Sequence, residues 1–206
     1  MAAPLEAYGR LPAIEDVALS SDGKLLALIL TDGEQRNVVV HEVATDKRIS
    51  VIRAADTKLR SLEWAGPEHL LITISKTATL GDDVFLDSRA EQYTVVLFDV
   101  RQGKQRPLVS KMSLDSLNTI VGEPVVRTVN GVPTVYIHGT AFVNGRGRRS
   151  LIEASVDSPK NKIIEVGPQG AMKFLVDKNG VPIARSEYDT DRQIWTIFTK
   201  RSGEWR

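Results

Sequence analysis

Three observations predict an all-β fold, a partial β-propeller of four-stranded antiparallel blades. Paired apolar runs recur around short turns marked by Asp22-Gly23, Gly66-Pro67, Asn130-Gly131 and Asn179-Gly180, residues suited to the backbone of tight turns. The period of these pairs is roughly 45 to 60 residues, longer than a plain WD40 blade but within reach of blades with loop insertions. No helix of convincing length interrupts them, the best amphipathic candidate being the short stretch from Ser113 to Ile120. A β-sandwich of similar strand count is the structural competitor.

After an irregular lead-in from Met1 to Arg10, the first round opens with Ile14-Glu15-Asp16-Val17-Ala18-Leu19, which alternates as a half-buried strand does. Ser20-Ser21-Asp22-Gly23 turns the chain into the apolar run Lys24 to Leu30. The polar turn Thr31 to Asn37 leads to Val38-Val39-Val40-His41-Glu42-Val43, rich in β-branched residues, and a turn at Ala44 to Lys47 precedes a fourth strand, Arg48 to Arg53. The second round has Leu59 to Trp64, a turn at Ala65-Gly66-Pro67-Glu68, and His69 to Ser75. A long polar insertion, Lys76 to Glu91, is followed by strands at Gln92 to Val100 and Gln105 to Val109.

The third round pairs Glu123 to Val129 with Pro133 to His138 across Asn130-Gly131. Asn144-Gly145-Arg146-Gly147-Arg148 then turns into Ser150 to Val156, and Ile163 to Val166 closes the round. The fourth has Ala171 to Val176, Val181 to Glu187, a turn from Tyr188 to Arg192, and Ile194 to Thr199. It stops at Trp205-Arg206, where a fourth strand is due. The expected organisation is about three blades plus an incomplete fourth, over 11–54, 58–110, 118–167 and 170–206. Propellers close on themselves so that no sheet edge stays open, and the chain is therefore expected to continue.

Composition narrows the functional classes. The 206 residues are 42% hydrophobic and 26% charged, and 27 Lys and Arg against 26 Asp and Glu leave a net charge of +1. That balance gives no reason to expect a nucleic-acid or membrane-surface partner. With no cysteine, disulfides and thiolate sites are excluded. No apolar run approaches the length of a membrane span. The start, Met1-Ala2-Ala3-Pro4-Leu5-Glu6, lacks the basic and apolar regions of a signal peptide; the cytoplasm and the periplasm both fit.

No constellation announces chemistry, so no catalytic, cofactor-binding or metal-binding residue is assigned. The G-x-S-x-G elbow of nucleophilic hydrolases is absent. His41, His69 and His138 lie in separate strands without a serine or acid at a telling spacing. The acidic groupings, Asp82-Asp83 with Asp87 and Glu91, and Asp189 with Asp191, do not match an EF-hand and read as polar loop tips. Asn144-Gly145-Arg146-Gly147-Arg148-Arg149 lacks the following helix that a phosphate cradle of the dinucleotide type needs, and reads as a hairpin turn. Trp64, Trp195, Trp205, Phe98 and Phe198 fall on strand positions where blades pack.

The stretch Leu11-Pro12-Ala13-Ile14-Glu15-Asp16-Val17-Ala18-Leu19-Ser20-Ser21-Asp22-Gly23-Lys24 resembles the opening strand and S-P-D-G turn of the N-terminal propeller region in the prolyl oligopeptidase (S9) family of serine peptidases, of the dipeptidyl or acylaminoacyl peptidase type. Leu59 to Ile72 is similar to the following blade opening, and Val176 to Arg185 repeats the theme. Ser21 stands where the family has proline, and a type I turn accepts either. Similar turns occur in TolB-like and other propellers.

The resemblance implies a non-catalytic propeller region that gates peptide access to an α/β-hydrolase domain and docks on it. The implied partners are the peptide substrate of the whole enzyme and a hydrolase domain of the same polypeptide. The triad belongs to that absent domain, so no catalytic residue is carried over. In dipeptidyl-type members glutamates of a propeller extension hold the peptide's amino terminus, but no motif match transfers that role to Asp82, Asp83, Asp87 or Glu91. The alternatives are a TolB-like or other scaffold propeller mediating protein–protein interaction, and a β-sandwich binding module. Open blade edges also lead us to expect self-association.

Overall fold

The computed structural model describes residues 9, 12–32, 35–79, 89–109 and 117–206. They form sixteen strands: β1 (Ile14–Leu19), β2 (Leu25–Asp32), β3 (Gln35–Glu42), β4 (Lys47–Arg53), β5 (Lys58–Ala65), β6 (His69–Thr79), β7 (Arg89–Asp99), β8 (Lys104–Pro107), β9 (Val125–Val129), β10 (Val132–Val143), β11 (Arg146–Ser155), β12 (Asn161–Val166), β13 (Ala171–Val176), β14 (Pro182–Asp189), β15 (Ile194–Arg201) and β16 (Glu204–Trp205). These make four four-stranded antiparallel sheets, each pairing its strands in sequence order. A sandwich would need Greek-key crossings between its sheets. The fold is a series of four propeller blades.

Local turn chemistry sets the register of the first hairpin in each blade. In blade 1 the Ser20 hydroxyl donates to Asp22 Oδ1 (2.8 Å) and accepts the Leu25 amide (2.9 Å), while Gly23 takes a positive φ. The Ser20 hydrogen bond holds the Asp22 carboxyl below its ordinary range. In blade 4 Asp177 Oδ1 accepts the amides of Asn179 (2.8 Å) and Val181 (2.9 Å). Gly180 then adopts φ 79°, and a Cβ there would lie 1.8 Å from the Tyr136 hydroxyl. Only glycine fits both the left-handed backbone and the seam with blade 3.

Blades pack face to face through three apolar seams. Ala27, Ile29, Val38 and Val40 of blade 1 meet Leu62, Trp64, Leu70 and Ile72 of blade 2. The opposite face of blade 2, with Leu71, Val95 and Leu97, meets Val135, Ile137 and Ile152 of blade 3. Tyr136 and Leu151, on the other face of blade 3, meet Phe174 and Val176 of blade 4. Period-2 alternation lets each inner sheet present two apolar faces at once.

Polar contacts link the seams. The Trp64 indole donates to the Ala18 carbonyl (2.9 Å), and Asp16 Oδ2 accepts the Leu62 amide (2.7 Å). Glu63 repeats the device by accepting the Val126 amide, although burial still pushes its carboxyl above the ordinary range. Carboxylates of one inner strand thus satisfy amides on the next, which no ladder partner reaches.

Several boundaries differ from expectation. Of the segment Lys76 to Glu91, expected as a polar insertion, residues 80–88 lie outside the described residues and both flanks are strand: β6 and β7 pair as far as Thr79↔Arg89. Cross-strand bonds to Glu91 from Ser75 (2.6 Å) and Thr77 (2.8 Å) let polar side chains extend the hairpin. Asn144 and Gly145 alone form the turn between β10 and β11, both with positive φ, so Arg146, Gly147 and Arg148 belong to the strand. Of the amphipathic stretch, Ser113 to Ser116 lie outside the described residues, and Ile120 makes an isolated antiparallel bridge to Tyr93 instead of a helical turn.

The fourth round does acquire its outer strand. β16 pairs Lys200↔Trp205 and Arg201↔Glu204, and Arg206 exchanges backbone bonds with Thr199 (2.8 and 3.0 Å). Trp205 folds back on the seam, where its indole donates to Glu165 Oε1 of β12 (3.1 Å). Among the described residues no helix is long and apolar enough to cross a membrane.

Candidate functional site

The blades give the molecule two polar ends. The β1–β2 and β3–β4 turns and their counterparts share one end; the β2–β3 turns and the links between blades share the other. At the first end a cavity of about 450 Å³ opens at the seam of blades 2 and 3, lined by Glu68, His69, Asp99, Arg101, Arg106 and Asp157 among others. Arg106 Nη2 donates to the carbonyls of Ser155 (2.9 Å), Val156 (3.0 Å) and Ser158 (3.0 Å). It thereby fastens the β11–β12 turn to β8, and burial lowers its pKa.

His69 Nε2 lies 4.0 Å from Asp99 Oδ2, and Glu68 pairs with Arg101. Asp99 also caps the β7–β8 turn by accepting the Gln102 amide (2.8 Å). The cavity lining contains no serine, threonine or tyrosine that this histidine–aspartate couple could activate.

The other histidines lie elsewhere. His41 Nδ1 meets Asp46 (3.1 Å) in the β3–β4 turn of blade 1. His138 is buried between blades 3 and 4, stacked on Phe174 at 6.3 Å, with Nε2 2.9 Å from the Phe174 amide nitrogen. Nε2 lies equally 2.9 Å from the Phe174 carbonyl oxygen, and desolvation lowers the pKa of the ring. All three are engaged by a neighbour, and the structure brings no two of them together.

Of the acidic groupings, Asp82, Asp83 and Asp87 lie outside the described residues. Glu91 collects Ser75, Arg60 (2.8 Å), Thr77 and Lys58 (3.1 Å), which hold its carboxyl down at about 2. Its lone pairs are committed to this ionic cluster, which ties β5 to β7. Asp189 Oδ1 accepts the amides of Asp191 (3.0 Å) and Arg192 (3.0 Å) as a turn cap. Among the described residues no three His, Asp or Glu side chains are grouped to hold a metal ion.

Two sheet faces have no neighbour among the described residues. On blade 1, Val17, Leu19 (58% exposed) and Val51 form an apolar surface facing away from blade 2. On blade 4, Leu175, Trp195 (60% exposed) and Ile197 (74% exposed) do the same. Trp195, expected in a packed seam, instead rests against Tyr188 on that open face at 5.0 Å. Alternation marks these residues as sheet-face side chains, but which face is covered depends on the adjacent blade, and strand pattern does not reveal that.

No protein-family model matches the sequence, and no curated protein is similar to it in sequence. Solved structures are similar in fold. They include an acylaminoacyl peptidase in complex with Z-Gly-Gly-Phe-chloromethyl ketone, at TM-score 0.52 and 15% identity over 95% of this chain and 32% of that one. The uncomplexed acylaminoacyl peptidase of Pyrococcus horikoshii gives TM-score 0.52 and 13% identity over the same shares. Hydrazine synthase of Kuenenia stuttgartiensis gives 0.49 and 16% over 91% of this chain and 58% of that one. The chain thus spans about a third of the length of these peptidases.

Proposed function

We propose that the chain is a non-catalytic propeller segment of an S9-type serine peptidase, narrowing the approach of peptides to an α/β-hydrolase domain and docking on it. The observation that carries this reading is the pair of open apolar faces, on blades 1 and 4, at the two ends of an otherwise continuous blade series. We assign them to further blades of the same ring, which would bury Leu19 and Ile197 as the inner seams bury Ile29 and Ile137. The blade openings at Ile14 to Lys24 and Leu59 to Ile72, with their S9 resemblance, and the fold shared with acylaminoacyl peptidases support the family. The polar cavity at the seam of blades 2 and 3 is a candidate contact for the hydrolase domain, since it gathers charged groups of both signs, Glu68, Asp99 and Asp157 with Arg101, Lys104 and Arg106.

The gene downstream of Arg206 tests the reading. Further blade repeats followed by G-x-S-x-G, then Asp and His, are expected. Further blades with no hydrolase sequence would replace the peptidase by the scaffold propeller.

A further inference from the structure

At the end opposite the polar cavity, the seam between blades 3 and 4 holds a second cavity of about 490 Å³. Its walls include Thr140, Arg146, Arg148, Arg149, Gln169 and Gly170. Arg149 is on β11 directly opposite Thr140, on the sheet face that carries Leu151 toward blade 4. Its Nε and Nη1 are fully buried and have no hydrogen-bond partner. Among the described residues it has no carboxylate partner either, in a chain where Arg36, Arg60, Arg101 and Arg185 each have one.

A guanidinium does not escape this by losing its proton. Burial lowers the pKa of Arg149 but leaves the group cationic at neutral pH. A buried cation with unmet donors is costly unless an anion meets it. Nearby charge does not supply one. Arg146 and Arg148 add positive charge at the rim, and Lys173 and Arg149 both depress the pKa of His138. The acids beyond the Gln169-Gly170 wall, Glu187, Asp189 and Asp191, line a separate cavity, and none of them forms an ion pair with Arg149. Glu187 lies 2.6 Å from Arg185, an ion pair without the alignment of a hydrogen bond, and Asp189 caps its turn.

We propose that this cavity is an anion-binding site in which Arg149 receives an oxyanion, a phosphate or carboxylate group, with Arg146 and Arg148 attracting it at the mouth. Guanidinium donors match the spacing of both groups. The Thr140 hydroxyl supplies a further donor on the same wall. The inference does not rest on the peptidase reading: a propeller of any kind could carry this site.

Thermal unfolding of the full 206-residue chain, titrated with inorganic phosphate and separately with acetate at constant ionic strength, is the test. A saturable rise in Tm with phosphate is expected, lost in Arg149→Gln and kept in Arg101→Gln, which removes a surface cation at the other end. A rise with phosphate alone assigns a phosphate ligand; a rise with both anions assigns the shared oxyanion chemistry. In the unaltered chain, phosphate should also shift the Arg149 Nε–H resonance and leave that of Arg101 in place, a readout that needs no folded variant. No response to either anion, or an equal response in Arg149→Gln, overturns the site.

Discussion

Replacing Gly180 by alanine tests the blade 3–blade 4 seam by a calculable amount. The backbone sits at φ 79°, where an L-residue costs roughly 1–2 kcal/mol. The new Cβ would also stand 1.8 Å from the Tyr136 hydroxyl and 2.4 Å from its Cζ, in a ring that is almost fully buried. Tyr136 cannot swing away without opening the seam, and overpacking of this kind costs about 1–3 kcal/mol more. Gly180→Ala should therefore destabilise by roughly 2–5 kcal/mol in all. Gly23→Ala is the control: the same turn position in blade 1, φ 72°, and open space where the Cβ would go. It should cost only the backbone share, about 1–2 kcal/mol. Urea unfolding followed by tryptophan fluorescence reads both. Equal losses in the two variants would refute the packing of blade 4's first turn onto Tyr136.

Other expected outcomes follow from the same structure. Because His138 is buried with its pKa lowered from 6.5, the unfolded chain binds its proton first, so stability falls with acidification below that value, by up to about 1.4 kcal/mol per pH unit. Tm measured from neutral pH downward over roughly two units should show a steeper loss in the parent than in His138→Gln; parallel curves would remove His138 as the cause. Trp64→Phe deletes the indole bond to the Ala18 carbonyl and part of a buried ring, and should cost roughly 1–3 kcal/mol in urea; an unchanged midpoint would argue against this link between blades 1 and 2. The chain by itself should not hydrolyse peptide or ester substrates, and turnover abolished by a serine-directed fluorophosphonate would contradict the non-catalytic reading.

What could be read from sequence was what is encoded locally. Asp22-Gly23 and Asn179-Gly180 work through side-chain caps and positive φ within a few residues, so the hairpins and the four rounds were visible. The pairing of β6 and β7 out to Thr79 and Arg89 was not, because Ser75, Thr77 and Glu91 stabilise strand by bonding across a pair, which composition reads as loop. The same limit hid the site at Arg149. Its strand begins directly after the Asn144-Gly145 turn, and only the packing of blade 4 buries it. Asp16 and Glu63 gave a weaker hint, each an acid in an alternating inner strand, but their roles depend on amides of the next blade, at Leu62 and Val126. Trp205 looked like the start of something absent, whereas its indole closes on Glu165 of the preceding blade.

On our proposal, the open faces of blades 1 and 4 are ones that other blades cover. Multi-angle light scattering of the chain across a wide concentration range, beside a Leu19→Lys, Ile197→Lys double variant, addresses it directly. The parent should associate as concentration rises, because uncovered apolar sheet faces pair with one another, and the variant should stay monomeric. A parent chain that remains a monomer throughout would contradict it.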